Sequence, residues 1–169
     1  MYPDDILAAA RELLQACRER DLKIVTAESC TGGLIAGALT EIAGSSDVVD
    51  GGFVTYSNAM KRAVLGVEAA TLEAHGAVSE PVVREMVASA LGRVPGAGQA
   101  LGVAVSGVAG PGGGTADKPV GLVHFAAQRT GGAPLHLRQT YGDIGRGAVR
   151  IATVRDALAL MRKALDPGG

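Results

Sequence analysis

TAESCTGG, residues 26–33, sets a carboxylate (Glu28), a hydroxyl (Ser29), a thiol (Cys30), a second hydroxyl (Thr31) and two glycines (Gly32, Gly33) in succession. It follows a short apolar run and precedes another. That is the layout of a chain turning from a strand into a helix and baring the helix's first amides, which suits an anion or a nucleophile. Ser29 is one candidate nucleophile. Cys30 competes, since a thiol near a helix N-terminus is pushed toward thiolate, though a small buried residue is the plainer reading. Glu28 is either a general acid or a partner for the turn's amides.

A base has to come from elsewhere in the chain. Ser29 stands in no Gly-x-Ser-x-Gly elbow, and Gly32 occupies the position where a Ser-x-x-Lys pattern needs lysine. Of the three histidines, His75 sits at a helix end while His124 and His136 fall in strands, so a His-based triad has weak support. TYSNAMK, residues 55–61, offers a lysine. If Asn58 opens a helix, Tyr56 and Lys61 flank its first turn and reach toward a rim shared with Ser29. A neutral lysine takes a serine proton, and a tyrosine hydroxyl relays or orients it. Spacing alone favours the plainer alternative, Tyr56 packed at a strand end and Lys61 solvated.

SGVAGPGGGTADKPVG, residues 106–121, is the most glycine-rich stretch, and glycine there lets backbone approach a bound group closely. Ser106 is a ligand contact or a strand-end hydroxyl satisfying local backbone. Neither phosphate-loop pattern fits. Walker A fails at Gly33-Leu34 and at Gly114-Thr115-Ala116, and Gly-x-Gly-x-x-Gly fails at Thr115.

The elements that must position these groups are legible. Residues 5–20 read as an amphipathic helix, Lys23–Thr26 as a buried strand and Gly32–Ile42 as a helix stopped at Gly44. Val48–Ser57 is β-prone with a bulge or bend expected at Gly51-Gly52. Short helices follow at about 58–65 and 68–75, then a longer one through Leu91, with Ser79 as cap and Pro81 in its first turn. Leu101–Val105 is a strand, Val120–Gln128 and Leu135–Tyr141 form a hairpin, and a last helix runs from Arg146 to Leu165. Together they predict a single three-layer α/β/α domain over residues 1–169 with a mixed sheet, residues 166–169 forming a loose tail. Three loops, 28–33, 56–61 and 106–118, are expected to share the rim where strands end.

Composition narrows the classes. The chain has 169 residues, 47% of them hydrophobic, enough for one well-filled core, and a net charge of −1 with interspersed signs. There is no basic stripe for nucleic acid and no polybasic segment for a membrane, so neither is expected as a partner. Cys17 and Cys30 have no ligand-like spacing, and neither a disulfide framework nor a metal site is expected. The acidic start, MYPDDILAAARELL, does not read as a secretory signal, and no apolar run approaches membrane-spanning length, which points to the cytoplasm. The apolar share also suggests a face shared between copies, a homodimer being the expected oligomer.

AESCTGG at 27–33, GFVTYSNAMK at 52–61, GAVSEPVV at 76–83, SGVAGPGGGTADKPVG at 106–121 and GDIGRGAVR at 142–150 together resemble the CinA C-terminal domain family, in order and over nearly the whole chain. Its stand-alone members are nicotinamide-nucleotide amidases. The resemblance implies hydrolysis of the carboxamide of nicotinamide mononucleotide in pyridine-nucleotide salvage, with no cofactor. It implies Ser29 as nucleophile and Lys61 with Tyr56 as the base, the amides of Thr31 to Gly33 facing the oxyanion. It further implies a substrate held among Glu28, Cys30, Thr31, Gly32, Gly33, Asn58, Ser106, Gly107, Gly110, Pro111, Gly112, Gly113 and Arg146, with the glycine loop and Arg146 near its phosphate. The family's larger members carry an N-terminal nucleotide-processing domain whose activity is not carried over. A pyridine-nucleotide-binding or partner module without turnover is the alternative reading.

Overall fold

The computed structural model describes residues 2–96 and 98–165. Three parallel strands, β1 (Lys23–Glu28), β2 (Val49–Val54) and β3 (Ala100–Gly107), end at one edge of a sheet, and β4 (Leu122–Arg129) and β5 (Leu135–Thr140) continue it antiparallel. The strand order is β2-β1-β3-β4-β5. Helices α1 (Asp4–Arg18), α2 (Leu34–Thr40) and α6 (Arg146–Leu165) cover one face. Helix α5 (Glu80–Leu91), with α3 (Asn58–Leu65) and α4 (Ala69–His75) beside it, covers the other. This is the three-layer α/β/α domain with a mixed sheet that the alternation of elements implied.

Strands β1 and β3 are buried on both faces, which is why they read as unbroken apolar runs. Successive side chains go to opposite cores: Ile24, Val103 and Val105 pack toward α1 and α6, and Val25, Ala27 and Ala104 toward α5. The α5 side carries smaller strand residues. Gly102 lets that helix lie close, since a Cβ there would come within 3.0 Å of Leu91 and Val87 side-chain carbons. The register between β1 and β2 slips at Ile24/Val25, opposite the Val49–Gly51 stretch, one residue ahead of the bend expected at Gly51-Gly52. Gly52 has a further reason to lack a side chain, because a Cβ would overlap the Thr26 hydroxyl.

Several boundaries differ from expectation. Strand β1 runs on to Glu28, so the carboxylate belongs to the sheet rather than to the turn. Helix α2 starts at Leu34 and not at Gly32, because Gly32 and Gly33 adopt φ of 61° and 96°, where helix cannot begin. A 3-10 turn at Ser45–Asp47, unforeseen, follows Gly44. Ser79 holds the cap position of α5, yet its hydroxyl donates back to the Gly76 carbonyl at 2.8 Å instead of accepting from the helix. The tail expected at 166–169 lies outside the described residues.

Candidate active site

The carboxyl ends of parallel strands converge where ligands collect in such sheets. Ser29 follows β1, Thr55 follows β2, and Ser106 and Gly107 close β3. Helix α3 then begins at Asn58, with Ser57 accepting a hydrogen bond from the Met60 amide at 3.1 Å, and this cap fixes the direction in which Lys61 leaves the first turn.

Lys61 turns inward. It is 1% exposed, and its Nζ donates to Ser29 Oγ at 2.8 Å and to the Thr55 carbonyl at 2.9 Å, with the Tyr56 carbonyl at 3.5 Å. Among the described residues no carboxylate bonds to Lys61, and burial lowers its pKa from 10.5 to about 8. When the amine is neutral, its two N–H groups match the two carbonyls and its lone pair is left for the Ser29 hydroxyl proton. Such a contact allows a neutral lysine to take a serine proton.

Cys30 is buried beside this pair, and burial pushes its thiol up to about 12. It is a thiol at neutral pH, so the thiolate route has no electrostatic basis here.

Of the two roles open to Glu28, the structure takes the partner for the turn's amides, and it corrects the substrate contact that the resemblance implied. Fully buried beneath the turn, its carboxylate accepts from the Thr31 hydroxyl at 2.6 Å and from the amides of Gly33, Ile35 and Ala36 at 3.0, 3.0 and 2.8 Å. It therefore caps α2 from below and is absent from the pocket lining. The expectation that the turn amides through Gly33 face the oxyanion is corrected accordingly. The Gly33 amide is bound to Glu28, and the Gly32 amide donates to the Ser29 carbonyl at 3.0 Å.

A cavity of ≈ 270 Å³ opens over the serine–lysine pair. It brings together Ser29, Cys30, Tyr56, Asn58, Lys61, Ser106, Gly107, Gly110, Gly112, Gly113 and Arg146, so all three expected loops meet. Thr31, Gly32, Gly33 and Pro111 are not part of its lining. The structure also separates Tyr56 from its expected position. Its side chain is 58% exposed, and its hydroxyl accepts from Arg146 Nη2 at 2.7 Å; it is the Tyr56 carbonyl that approaches Lys61. Arg146 Nη1 also donates to the Gly110 carbonyl at 2.9 Å, tying the glycine loop to the mouth.

Sequence reasoning missed Ala77 and Val78, which line the wall between α4 and α5, and the Thr55 carbonyl that holds Lys61. Small apolar residues and carbonyls carry no chemical signature in a sequence. It also missed Arg150, whose Nη2 donates to the Thr31 carbonyl at 2.7 Å from α6.

Fold and site thus define a three-layer α/β/α domain with a buried serine–lysine pair at the carboxyl edge of its parallel strands. Residues 7–165 match the CinA C-terminal domain, and the chain belongs to that family. It is 52% identical over 141 residues to the nicotinamide-nucleotide amidohydrolase PncC of Enterobacter agglomerans, covering 83% of each chain. It is 51% identical over 146 residues to a CinA-like protein of Mycolicibacterium vanbaalenii, covering 86% of this chain and 34% of that one. The chain spans about a third of the length of the CinA-like proteins it matches. Among solved structures, the competence/damage inducible protein CihA from Agrobacterium tumefaciens superposes with a TM-score of 0.92 at 54% identity, covering 98% of both chains.

Proposed function

We propose that this protein is an amidohydrolase that converts nicotinamide mononucleotide to nicotinic acid mononucleotide and ammonia, with Ser29 as nucleophile and Lys61 as base, in pyridine-nucleotide salvage. The observation that carries the reading is the 2.8 Å contact between a buried, carboxylate-free lysine and Ser29 at the floor of a cavity. The name borne by the relative from Enterobacter agglomerans supports the choice of amide.

In the first step neutral Lys61 takes the Ser29 proton as Oγ attacks the carboxamide carbon. The developing oxyanion needs donors, and with the Gly32 and Gly33 amides engaged elsewhere, those of Cys30 and Thr31 are left for it. The tetrahedral adduct collapses as Lys61 returns the proton to the leaving nitrogen; the C–N bond breaks, ammonia departs and an ester on Ser29 remains. A water then loses its proton to Lys61, attacks the ester and releases the carboxylate as Ser29 regains its proton. Every step uses the proton that Lys61 can hold near neutral pH.

The substrate's phosphate is assigned to the glycine loop and Arg146, whose planar fork has donors beyond the two bound to Gly110 and Tyr56. Tyr56 contributes its carbonyl to Lys61 and its ring to the mouth. A cytoplasmic homodimer is part of the same reading. Among the described residues no helix is long and apolar enough to cross a membrane.

Ammonia release on incubating the pure protein with nicotinamide mononucleotide tests the proposal, with Ser29→Ala as control. Binding of the nucleotide with no ammonia above the control would favour the module without turnover.

A further inference from the structure

Arg150 contributes to the nucleophile turn from α6, on the opposite side from Lys61, and is absent from the cavity lining. Its bond to Thr31 heads a chain. The Thr31 carbonyl and the Gly32 amide are the two ends of one peptide group. The Gly32 N–H donates to the Ser29 carbonyl at 3.0 Å, and that carbonyl is one end of the peptide group whose other end is the Cys30 N–H. Guanidinium, peptide 31–32 and peptide 29–30 therefore stand in series, each donating to the carbonyl of the next. The series ends on the amide next to the nucleophile.

We infer that Arg150 is a positioning residue for the proposed reaction, orienting and polarising the Cys30 N–H as an oxyanion donor through two consecutive peptide groups. The inference rests on Ser29 being the nucleophile.

Three physical points carry it. A cation at the head of a hydrogen-bonded chain strengthens each bond downstream, and the amide after a nucleophile is the position from which an oxyanion is commonly met. The left-handed Gly32, with φ of 61°, brings Nη2 within 3.4 Å of where a Cβ would stand, so the guanidinium is seated against the turn. Finally, Arg150 Nε is buried and makes no hydrogen bond among the described residues, so the side chain's charge is held there by one directed contact and not by an ion pair. Glu28 braces the same turn from beneath through the Thr31 hydroxyl and the Gly33, Ile35 and Ala36 amides, while the Thr31 carbonyl is the acceptor that Arg150 takes.

The experiment compares wild type with Arg150→Gln, Arg150→Lys and Arg150→Ala on nicotinamide mononucleotide, alongside thermal unfolding. For Arg150→Gln and Arg150→Ala, kcat is expected to fall about tenfold to a hundredfold with KM little changed, because the oxyanion exists only beyond the ground state. Arg150→Lys should retain more activity than Arg150→Gln, and guanidinium ion below denaturing concentration should restore part of the kcat of Arg150→Ala. In 15N-labelled protein the Cys30 amide proton should move upfield in Arg150→Gln while the amide of Ile24 stays fixed. Near-wild-type kcat in folded Arg150→Gln overturns the inference, as does a rise in KM at constant kcat. If wild type releases no ammonia, the proposed function falls, and the Cys30 amide signal still decides: an unmoved resonance removes the relay.

Discussion

Replacing Lys61 with methionine should stabilise the fold and silence the site, and the size of the first effect follows from the burial of the amine. A value of about 8 in the folded protein against 10.5 for a free lysine corresponds to about 3 kcal/mol, at about 1.36 kcal/mol per pH unit. The sign is set by which state holds the proton. Between about pH 8 and 10.5 the unfolded chain keeps a proton that the folded chain has released, so stability rises with pH across that window. Below it both states are charged and the folded state carries the full burial penalty. Methionine keeps the approximate length and does not titrate. Urea unfolding of wild type and Lys61→Met at pH steps across the window cancels the other titrating groups in the difference. The advantage of the variant should shrink by about 3 kcal/mol from the neutral end to the alkaline end. In parallel, kcat/KM of the wild type should rise with pH along a limb centred near 8. Lys61→Met and Lys61→Arg should lose turnover by about a hundredfold or more, with that limb missing from what remains. A stability difference independent of pH, or near-wild-type turnover in Lys61→Arg, would refute the buried-base argument.

Ser29→Ala is expected to abolish ammonia release with substrate binding largely kept, whereas Cys30→Ala, lacking only a thiol held protonated by burial, should retain substantial activity; mass spectrometry of a quenched reaction should find the acyl adduct on the Ser29 peptide. The reverse pattern would transfer the nucleophile to Cys30. Arg146→Ala should raise KM for nicotinamide mononucleotide with little effect on its dephosphorylated riboside, and equal losses on both would remove Arg146 from phosphate recognition. Glu28→Gln turns amide hydrogens toward donors it now accepts from and should destabilise the fold by about 3 kcal/mol in urea unfolding, at about 1–3 kcal/mol per buried group left unpaired. Equal stability would mean that the α2 amides find other partners.

The layers of the fold were legible because burial on one or both faces leaves a period in the chain. Helices α3 and α6 begin and end at the expected residues, with Gly66 and the cap at Ser57 marking the ends of α3. Boundaries failed where left-handed glycines intervene, at Gly32 and Gly33, because a glycine in sequence does not declare the sign of its φ. The site was legible in its residue types and not in their partners. That Ser29 and Lys61 touch across 32 positions depends on the parallel register of β1 and β2, a non-local fact that spacing along the chain cannot carry. Glu28 as a substrate contact and Tyr56 as part of the base were misplaced for the same reason. Their side chains are claimed by the Gly33, Ile35 and Ala36 amides and by Arg146, groups whose proximity only the fold creates.

The carboxylate beneath the Ser29 turn also bears on which way round a ligand can lie. The amino end of a helix ordinarily draws phosphate, but here Glu28 already fills that position and brings a negative charge of its own. A phosphate reaching for the first amides of α2 would find them already bound, whereas Arg146, in the cavity lining, keeps guanidinium donors beyond those bound to Gly110 and Tyr56. For a molecule with an anionic head and a neutral amide tail, the occupied helix start leaves Arg146 to take the head, so a carboxylate hidden below the cavity decides which group outside it is read.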